Sequence, residues 1–287
     1  MASVTALRSV SLGVSNVEEA VRFFTETWGL GEVDRAGGAV YLRGTGSYHH
    51  ILALRRSERE EVISADLLAE SRSDVDAIHR RVAAAGVTSA APAPIATPGG
   101  GYGFAFKDPE GRTMRVIAED ERHQPVDGQP DRPSRIMHVV LNAIDKDATS
   151  AFYCEALGFT ISNAVKVGSF LKCNDDHHAL AFFRSDATTL NHIAFKMQDA
   201  AAVSRGAERM LSRGYAMGWG LGRHTIEVYA YFEGPRRLPI EYITVVGEDW
   251  KPDESLPHWE TFPERTPELN AAMSRIPFQT GTLELAI

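Results

Sequence analysis

Residues 136–160, IMHVVLNAIDKDATSAFYCEALGFT, lie over residues 7–31, LRSVSLGVSNVEEAVRFFTETWGLG, closely enough for the chain to read as a tandem duplication. Phe23 and Phe24 fall on Phe152 and Tyr153, and Gly29 falls on Gly158. In each copy a short alternating apolar run predicts a strand. The amphipathic stretch that follows, ending in glycine, predicts a helix with a glycine C-cap. The match continues with SYHHILAL (47–54) over DDHHALAF (175–182) and SADLLAESRSDVDAI (64–78) over LNHIAFKMQDAAAV (190–203). It ends with DPEGRTMRVIAED (108–120) over GPRRLPIEYITVV (234–246). The spacing between the copies shrinks slowly along the chain, as small loop deletions would make it do and a chance motif would not.

Each half therefore predicts strand, helix, then two or three strands, and the same again. The fold class is α+β, with two domains of paired βαβββ modules. The expected boundaries are an N-terminal domain without metal over 1–120, a linker over 121–134, a C-terminal catalytic domain over 135–248 and a tail over 249–287. The linker is read from the charged, Pro- and Gly-rich AEDERHQPVDGQPDRPSR (118–135), which has no apolar period. The Pro-studded tail is expected to pack across the surface, anchored by Trp250 and Trp259.

Bulk properties narrow the function. A chain of 287 residues with 44% hydrophobic and 24% charged residues is that of a globular protein. A net charge of −8 argues against a nucleic-acid partner, whose phosphates need a basic face. The opening MASVTALRSVSLGV has no uninterrupted apolar core, and no stretch approaches the roughly 20 apolar residues of a membrane span. A cytoplasmic protein with no membrane partner is expected. Cys154 and Cys173 read as reduced thiols within regular structure.

Among ten histidines, position has to discriminate. His138 in IMHVVLN, His192 in LNHIAFKM and Glu241 in PIEYITVV each sit in a β-rich apolar run. A polar side chain there is costly to bury unless it is paired or bound to metal. Two imidazoles and a carboxylate are the donor set of non-haem Fe(II) oxygenases, which leaves three cis positions open. The repeat supplies a control: His138 aligns with Ser9, His192 with Asp66 and Glu241 with Arg115. Arginine is a permanent cation, so the first copy holds no such site. His79, His123 and His258 lack this context and are expected to face solvent.

At these motifs the chain resembles the type I extradiol dioxygenases of the vicinal oxygen chelate superfamily, over nearly its whole length and most specifically over 136–246. The resemblance implies His138, His192 and Glu241 as ligands of Fe(II), with Mn(II) as the alternative. CNDDHHALAF looks like the family's catalytic-histidine segment, which implies His178 as the acid/base residue. The Gly222-Arg223-His224-Thr225 motif implies that His224 hydrogen-bonds the substrate oxygen. Tyr231 stands at the place of the family's substrate tyrosine, and Phe170 at that of an aromatic wall of the pocket. A catechol, bicyclic or alkyl-substituted, and O₂ are the implied reactants, and a homo-oligomer the implied assembly. The segment between GRHT and PIEY is shorter than the family's pattern, which leaves Tyr229 as an alternative to Tyr231. The pair Arg236-Arg237 nearby reads either as an exposed turn or as a site for an anionic substituent. The equivalence of His177-His178 with His49-His50 leaves a structural role for the pair open. Rival readings are another metal-dependent enzyme of this scaffold, isomerase or hydrolase, and a small-aromatic binding protein.

Overall fold

The computed structural model describes residues 2–224, 226–247 and 276–278. The first half runs β1 (Val4–Val14), α1 (Val17–Arg22, continued by a π-helical segment Phe23–Trp28), β2 (Gly31–Ala36), β3 (Ala39–Arg43) and β4 (Leu52–Arg56). A second unit follows: β5 (Glu61–Ala69), α2 (Arg72–Ala84), β6 (Ala93–Pro94), β7 (Tyr102–Lys107) and β8 (Thr113–Ala118). The second half repeats the plan with β9 (Arg135–Ala143), α3 (Lys146–Leu157), β10 (Thr160–Val165), β11 (Gly168–Lys172) and β12 (Leu180–Arg184). Its last unit is β13 (Thr189–Lys196), α4 (Ala200–Ser212), β14 (Met217–His224), β15 (Glu227–Glu233) and β16 (Pro239–Val245), and β17 (Ile276–Pro277) comes after it.

The strand orders are β2-β3-β4-β1-β5-β8-β7-β6 and β10-β11-β12-β9-β13-β16-β15-β14. Each sheet is thus two βαβββ modules joined through their first strands, as the duplication predicts. The joining strands, β1 and β9, have neighbours on both sides and are buried almost throughout. That is why they read as near-continuous apolar runs rather than strict alternations.

Local chemistry sets the helices. Asn16, Ser71, Asp145 and Asp199 each accept a backbone N–H of the first turn of the helix that follows. The predicted glycine caps are present: Gly29 and Gly158 adopt left-handed φ values of 97° and 80°, which cost a glycine little. In α4, Val203, Ala207 and Met210 fall on one buried face, the spacing expected of a helix lying on a sheet.

The halves share one core. Trp28 stacks on Tyr242 at 3.7 Å and meets Phe195 edge-on at 5.4 Å, while Tyr242 donates its hydroxyl to the Trp28 carbonyl at 2.8 Å. Across the other contact Arg112 donates to the Asn142 carbonyl and pairs with Asp108 at 2.8 Å, both side chains fully buried. The segment between the sheets is tied along residues 45–47: His123 donates to the Ser47 carbonyl, Val126 to that of Thr45, and Thr45 to that of Pro133. Gly44 lets this segment approach, since a Cβ there would collide with the carbonyls of Pro133 and Ser134.

Several expectations are corrected. Cys173 lies in the bend after β11, because that strand ends at Lys172; Cys154 lies in α3, and both thiols are free. His79 is half-buried with its ring 4.9 Å from Phe104, and His123 stacks on His49 at 5.0 Å, so neither simply faces solvent. Trp250, Trp259 and His258 lie outside the described residues. Of the tail, Ile276 and Pro277 pair with β13 and Phe278 bridges to Val62. No helix among the described residues is long and apolar enough to cross a membrane.

Candidate metal centre

β9, β13, β16 and β15 are neighbours in the second sheet and carry His138, His192, Glu241 and Tyr231 respectively. Ala194 pairs with both His138 and Glu241, and Glu241 pairs with Tyr231. The register therefore brings residues far apart in sequence to one place. His138 Nε2, His192 Nε2 and Glu241 Oε2 form a triangle with every edge 3.2 Å. All three side chains are buried.

The donor set fits a divalent metal. An ion bonded at about 2.1 Å holds its donors about 3.0–3.4 Å apart, from octahedral to tetrahedral arrangement. An ion pair would need an imidazolium, yet burial pushes His138 down to about 3, so at neutral pH it offers a lone pair. Two imidazole nitrogens and one carboxylate oxygen converging on a point are an arrangement suited to a cation.

Neighbouring polar groups orient the ligands. His192 Nδ1 donates to Asn191 Oδ1 at 2.8 Å, which turns the Nε2 lone pair toward the triangle. Asn191 in turn donates to Asn142 Oδ1 at 3.0 Å, and Asn142 donates to Thr189 Oγ1 at 2.9 Å. The chain Thr189–Asn142–Asn191–His192 escaped the sequence reading, although buried asparagines in strands beside the ligands were its visible signal. His138 is held differently, its ring stacked on that of His178 at 4.0 Å. Asn191→Ala is expected to lower metal affinity by about 10–100-fold while the sheet stays folded; metal titration with circular dichroism would test this.

His178 sits beside the triangle because the backbone of its loop is pinned: Val139 donates to the Ala179 carbonyl, and Ala179 to that of Leu171. Asp176 caps the loop against β9 through two contacts to Arg135 at 2.7 and 2.8 Å, and Asn174 Oδ1 accepts the Asp176 N–H. Phe170 meets His178 edge-on at 5.1 Å and His177 at 5.6 Å. Tyr231 meets the His192 ring at 5.1 Å and Trp219 at 4.7 Å. Tyr229 stands next to Tyr231, its hydroxyl against Gly222. The structure thus gathers His138, His178, His192, Glu241, Tyr231 and Phe170. His224 ends β14 opposite Glu227, and its side chain lies outside the described residues. Arg236 pairs with Glu19 and Arg237 with Glu233 at the surface, the arrangement of an exposed turn.

Glu227 was missed in the sequence. It opens β15, is buried, and gathers with His177 and His178 so that their ligand atoms lie within 4.8 Å of one another. Burial, followed by the charges of Glu241 and Asp176, pushes its carboxyl up to about 7.

The first sheet places different residues at the equivalent positions. Ser9 donates to Asp66 at 2.7 Å, and Arg115 grips both Asp66 oxygens at 2.6 and 2.5 Å. One equivalence needs correction. Asp66 pairs with Ser9 and Arg115, the place Ala194 holds between His138 and Glu241, so the counterpart of His192 is Ser64. The counterparts of the triangle in this copy are therefore Ser9, Ser64 and Arg115. The histidine pair recurs, with Nδ1 atoms 3.1 Å apart in His49-His50 and 2.9 Å apart in His177-His178. Its mutual contact is a feature of the fold, and its surroundings differ. Arg8, which can only donate, meets His50 Nε2 at 3.2 Å, and burial holds His50 well below its ordinary value. The neutral ring then carries its proton on Nδ1 toward His49, whose Nε2 faces Glu121 at 4.0 Å. In the second half Met137 replaces Arg8 in the repeat, and His178 lies on the His138 ring instead.

Known proteins agree with this architecture. The Glyoxalase/Bleomycin resistance protein/Dioxygenase superfamily matches residues 6–116 and 135–242. Metapyrocatechase 2 of Cupriavidus necator is 34% identical over 103 residues, which cover 35% of this chain and 32% of that protein; the chain thus matches about a third of that relative's length. The manganese-dependent 2,3-dihydroxybiphenyl 1,2-dioxygenase of Geobacillus genomosp. 3 is 23% identical over 289 residues, covering 90% of this chain and 91% of that protein. Among solved structures, the Mn(II)-bound glyoxalase of Novosphingobium aromaticivorans superposes with a TM-score of 0.84 and 30% identity, covering 100% of this chain and 98% of that one. Fold, duplication and family match converge: the chain belongs to the glyoxalase/bleomycin resistance protein/dioxygenase superfamily.

Proposed function

We propose that the chain is an extradiol dioxygenase that opens the ring of a bicyclic or alkyl-substituted catechol with O₂, using Fe(II), or Mn(II), at His138, His192 and Glu241. The observation that carries this reading is the buried triangle of two imidazole nitrogens and one carboxylate oxygen with 3.2 Å edges. It is supported by the relative that the Geobacillus protein's name describes as a dihydroxybiphenyl dioxygenase. A divalent ion held there would acidify a bound catechol hydroxyl and bring the diol and O₂ together. His178, stacked beside His138, is placed to take the hydroxyl proton and return it later in the reaction, the acid/base task an imidazole can perform. Tyr231, against His192, orients the substrate oxygen that gains charge, and His224 shares that role. Phe170 forms an aromatic wall beside His178.

The test is direct. Protein purified without oxygen, loaded with Fe(II) or Mn(II), is given 2,3-dihydroxybiphenyl and 3-methylcatechol in an oxygen electrode. One O₂ consumed per catechol, with a yellow ring-opened product, is expected. Bound metal without oxygen uptake across a broad catechol panel would overturn the reading. The Mn(II)-bound glyoxalase neighbour would then favour a second one, a metal-dependent isomerisation on the same triangle.

A further inference from the structure

Glu227 is 5% exposed, and its Oε1 meets no hydrogen-bond donor among the described residues. A buried carboxylate lacking a donor is costly, and such a group in a native fold calls for an explanation. Its position supplies one. Its ligand atoms and those of His177 and His178 lie within 4.8 Å of one another, while His178 lies on the ring of His138. Glu227 therefore stands on the His178 side of the His138, His192 and Glu241 triangle.

The charged groups that act on Glu227 are carboxylates. Glu241 and Asp176 both act on Glu227, and the nearby guanidinium of Arg135 is already taken by both oxygens of Asp176. The two arginines that could have welcomed an anion, Arg236 and Arg237, are paired with Glu19 and Glu233 at the surface. A substituent arriving at Glu227 meets a hydrogen-bond acceptor.

We propose that Glu227 sets the substituent preference of the pocket, holding catechols whose side group is cationic or donates a hydrogen bond and rejecting those that carry a carboxylate. The proposal rests on the catechol-cleaving reading above. The structure assigns Glu227 no part in the proton transfers; it acts on the ring's substituent.

The experiment compares 4-(2-aminoethyl)catechol, 4-methylcatechol and 3,4-dihydroxyphenylacetate with the metal-loaded wild type and Glu227→Gln at pH 8. kcat/KM for the two charged substrates is read as a ratio to the methyl compound, so that a loss common to all three cancels. In Glu227→Gln the aminoethyl ratio is expected to fall about tenfold and the carboxymethyl ratio to rise about tenfold, roughly the effect of one partly screened charge contact. A residue with only a structural role would lower all three rates and leave the ratios fixed, which would overturn the proposal. Dissociation constants of the same compounds, measured without oxygen on the metal-loaded protein, provide a second reading. Opposed shifts there with no turnover would retain the role of Glu227 while the cleavage reading falls; fixed ratios in both assays would remove the proposal alone.

Discussion

Glu241→Ala is expected to purify folded but nearly metal-free, with ring cleavage reduced to background. The side chain is 0% exposed and supplies the only carboxylate of the triangle. Its loss leaves two imidazoles to hold a dication, without the charge that offsets the ion's dehydration. Removing a group that only orients a ligand costs about 10–100-fold in metal affinity, so removing the ligand itself should cost more than about 100-fold. The thermal readout needs no assay of turnover. Metal at about 1,000 times its dissociation constant stabilises a protein by about 4 kcal/mol, which raises Tm by roughly 8–16 °C in a chain of this size class. Wild type should show that rise with Fe(II) or Mn(II), and Glu241→Ala should show almost none. Equal rises in the two proteins would place the ion elsewhere and remove the basis of the functional reading.

The reason this site could be read from the chain lies in the duplication. His138 and Glu241 stood out because the same strands, read in the first copy, carry Ser9 and Arg115. The module order followed from the same comparison, because each apolar run recurs with its helix and its glycine cap. The misplaced partner of His192 has a physical cause. A two-residue slip along a strand keeps every side chain on its own face, so the apolar pattern fits Asp66 and Ser64 equally well, and only the pairing with β1 and β8 separates them. Glu227 was invisible for another reason. An acid at the first position of an apolar strand ordinarily marks a solvated strand end, and its burial arises only when the β14–β15 hairpin meets the His177-His178 loop. Asn191 and Asn142 belong between these cases. Their polarity inside buried strands was legible, but the hydrogen-bonded chain they form needs the pairing of β9 with β13. Tyr229 and Tyr231 likewise alternate onto one face, and only the sheet register shows that Tyr231 stands opposite Glu241 and Tyr229 opposite Ile243.

Asp66→Asn should destabilise the first half strongly while leaving the metal centre its ligands. Asp66 is 0% exposed and receives Ser9, both prongs of Arg115 and the nearby Arg8 guanidinium. Removing its charge leaves buried arginine partly uncompensated, a loss that costs about 3–5 kcal/mol in comparable buried pairs. Acid should reveal the same linkage. Although burial opposes it, the paired arginines and Ser9 hold the Asp66 carboxyl at about 2, below its ordinary 3.8. A carboxylate with a depressed folded-state value stabilises fully above the unfolded value and loses that contribution as pH falls through the folded one. Its share, roughly 2 kcal/mol, is therefore present above about pH 4 and gone below about pH 2. In urea melts the gap between wild type and Asp66→Asn should be widest near neutrality and narrow through that window; a gap independent of pH would mean that Asp66 acts by shape rather than charge. The double variant Asp66→Leu/Arg115→Leu supplies the contrast, because replacing a whole buried ion pair with apolar groups is often neutral or stabilising. Recovery in the double variant would show that charge in this sheet costs stability and is tolerated only when answered. On the proposed reading the second sheet obeys the same rule, with a bound metal ion as the answering charge to Glu241.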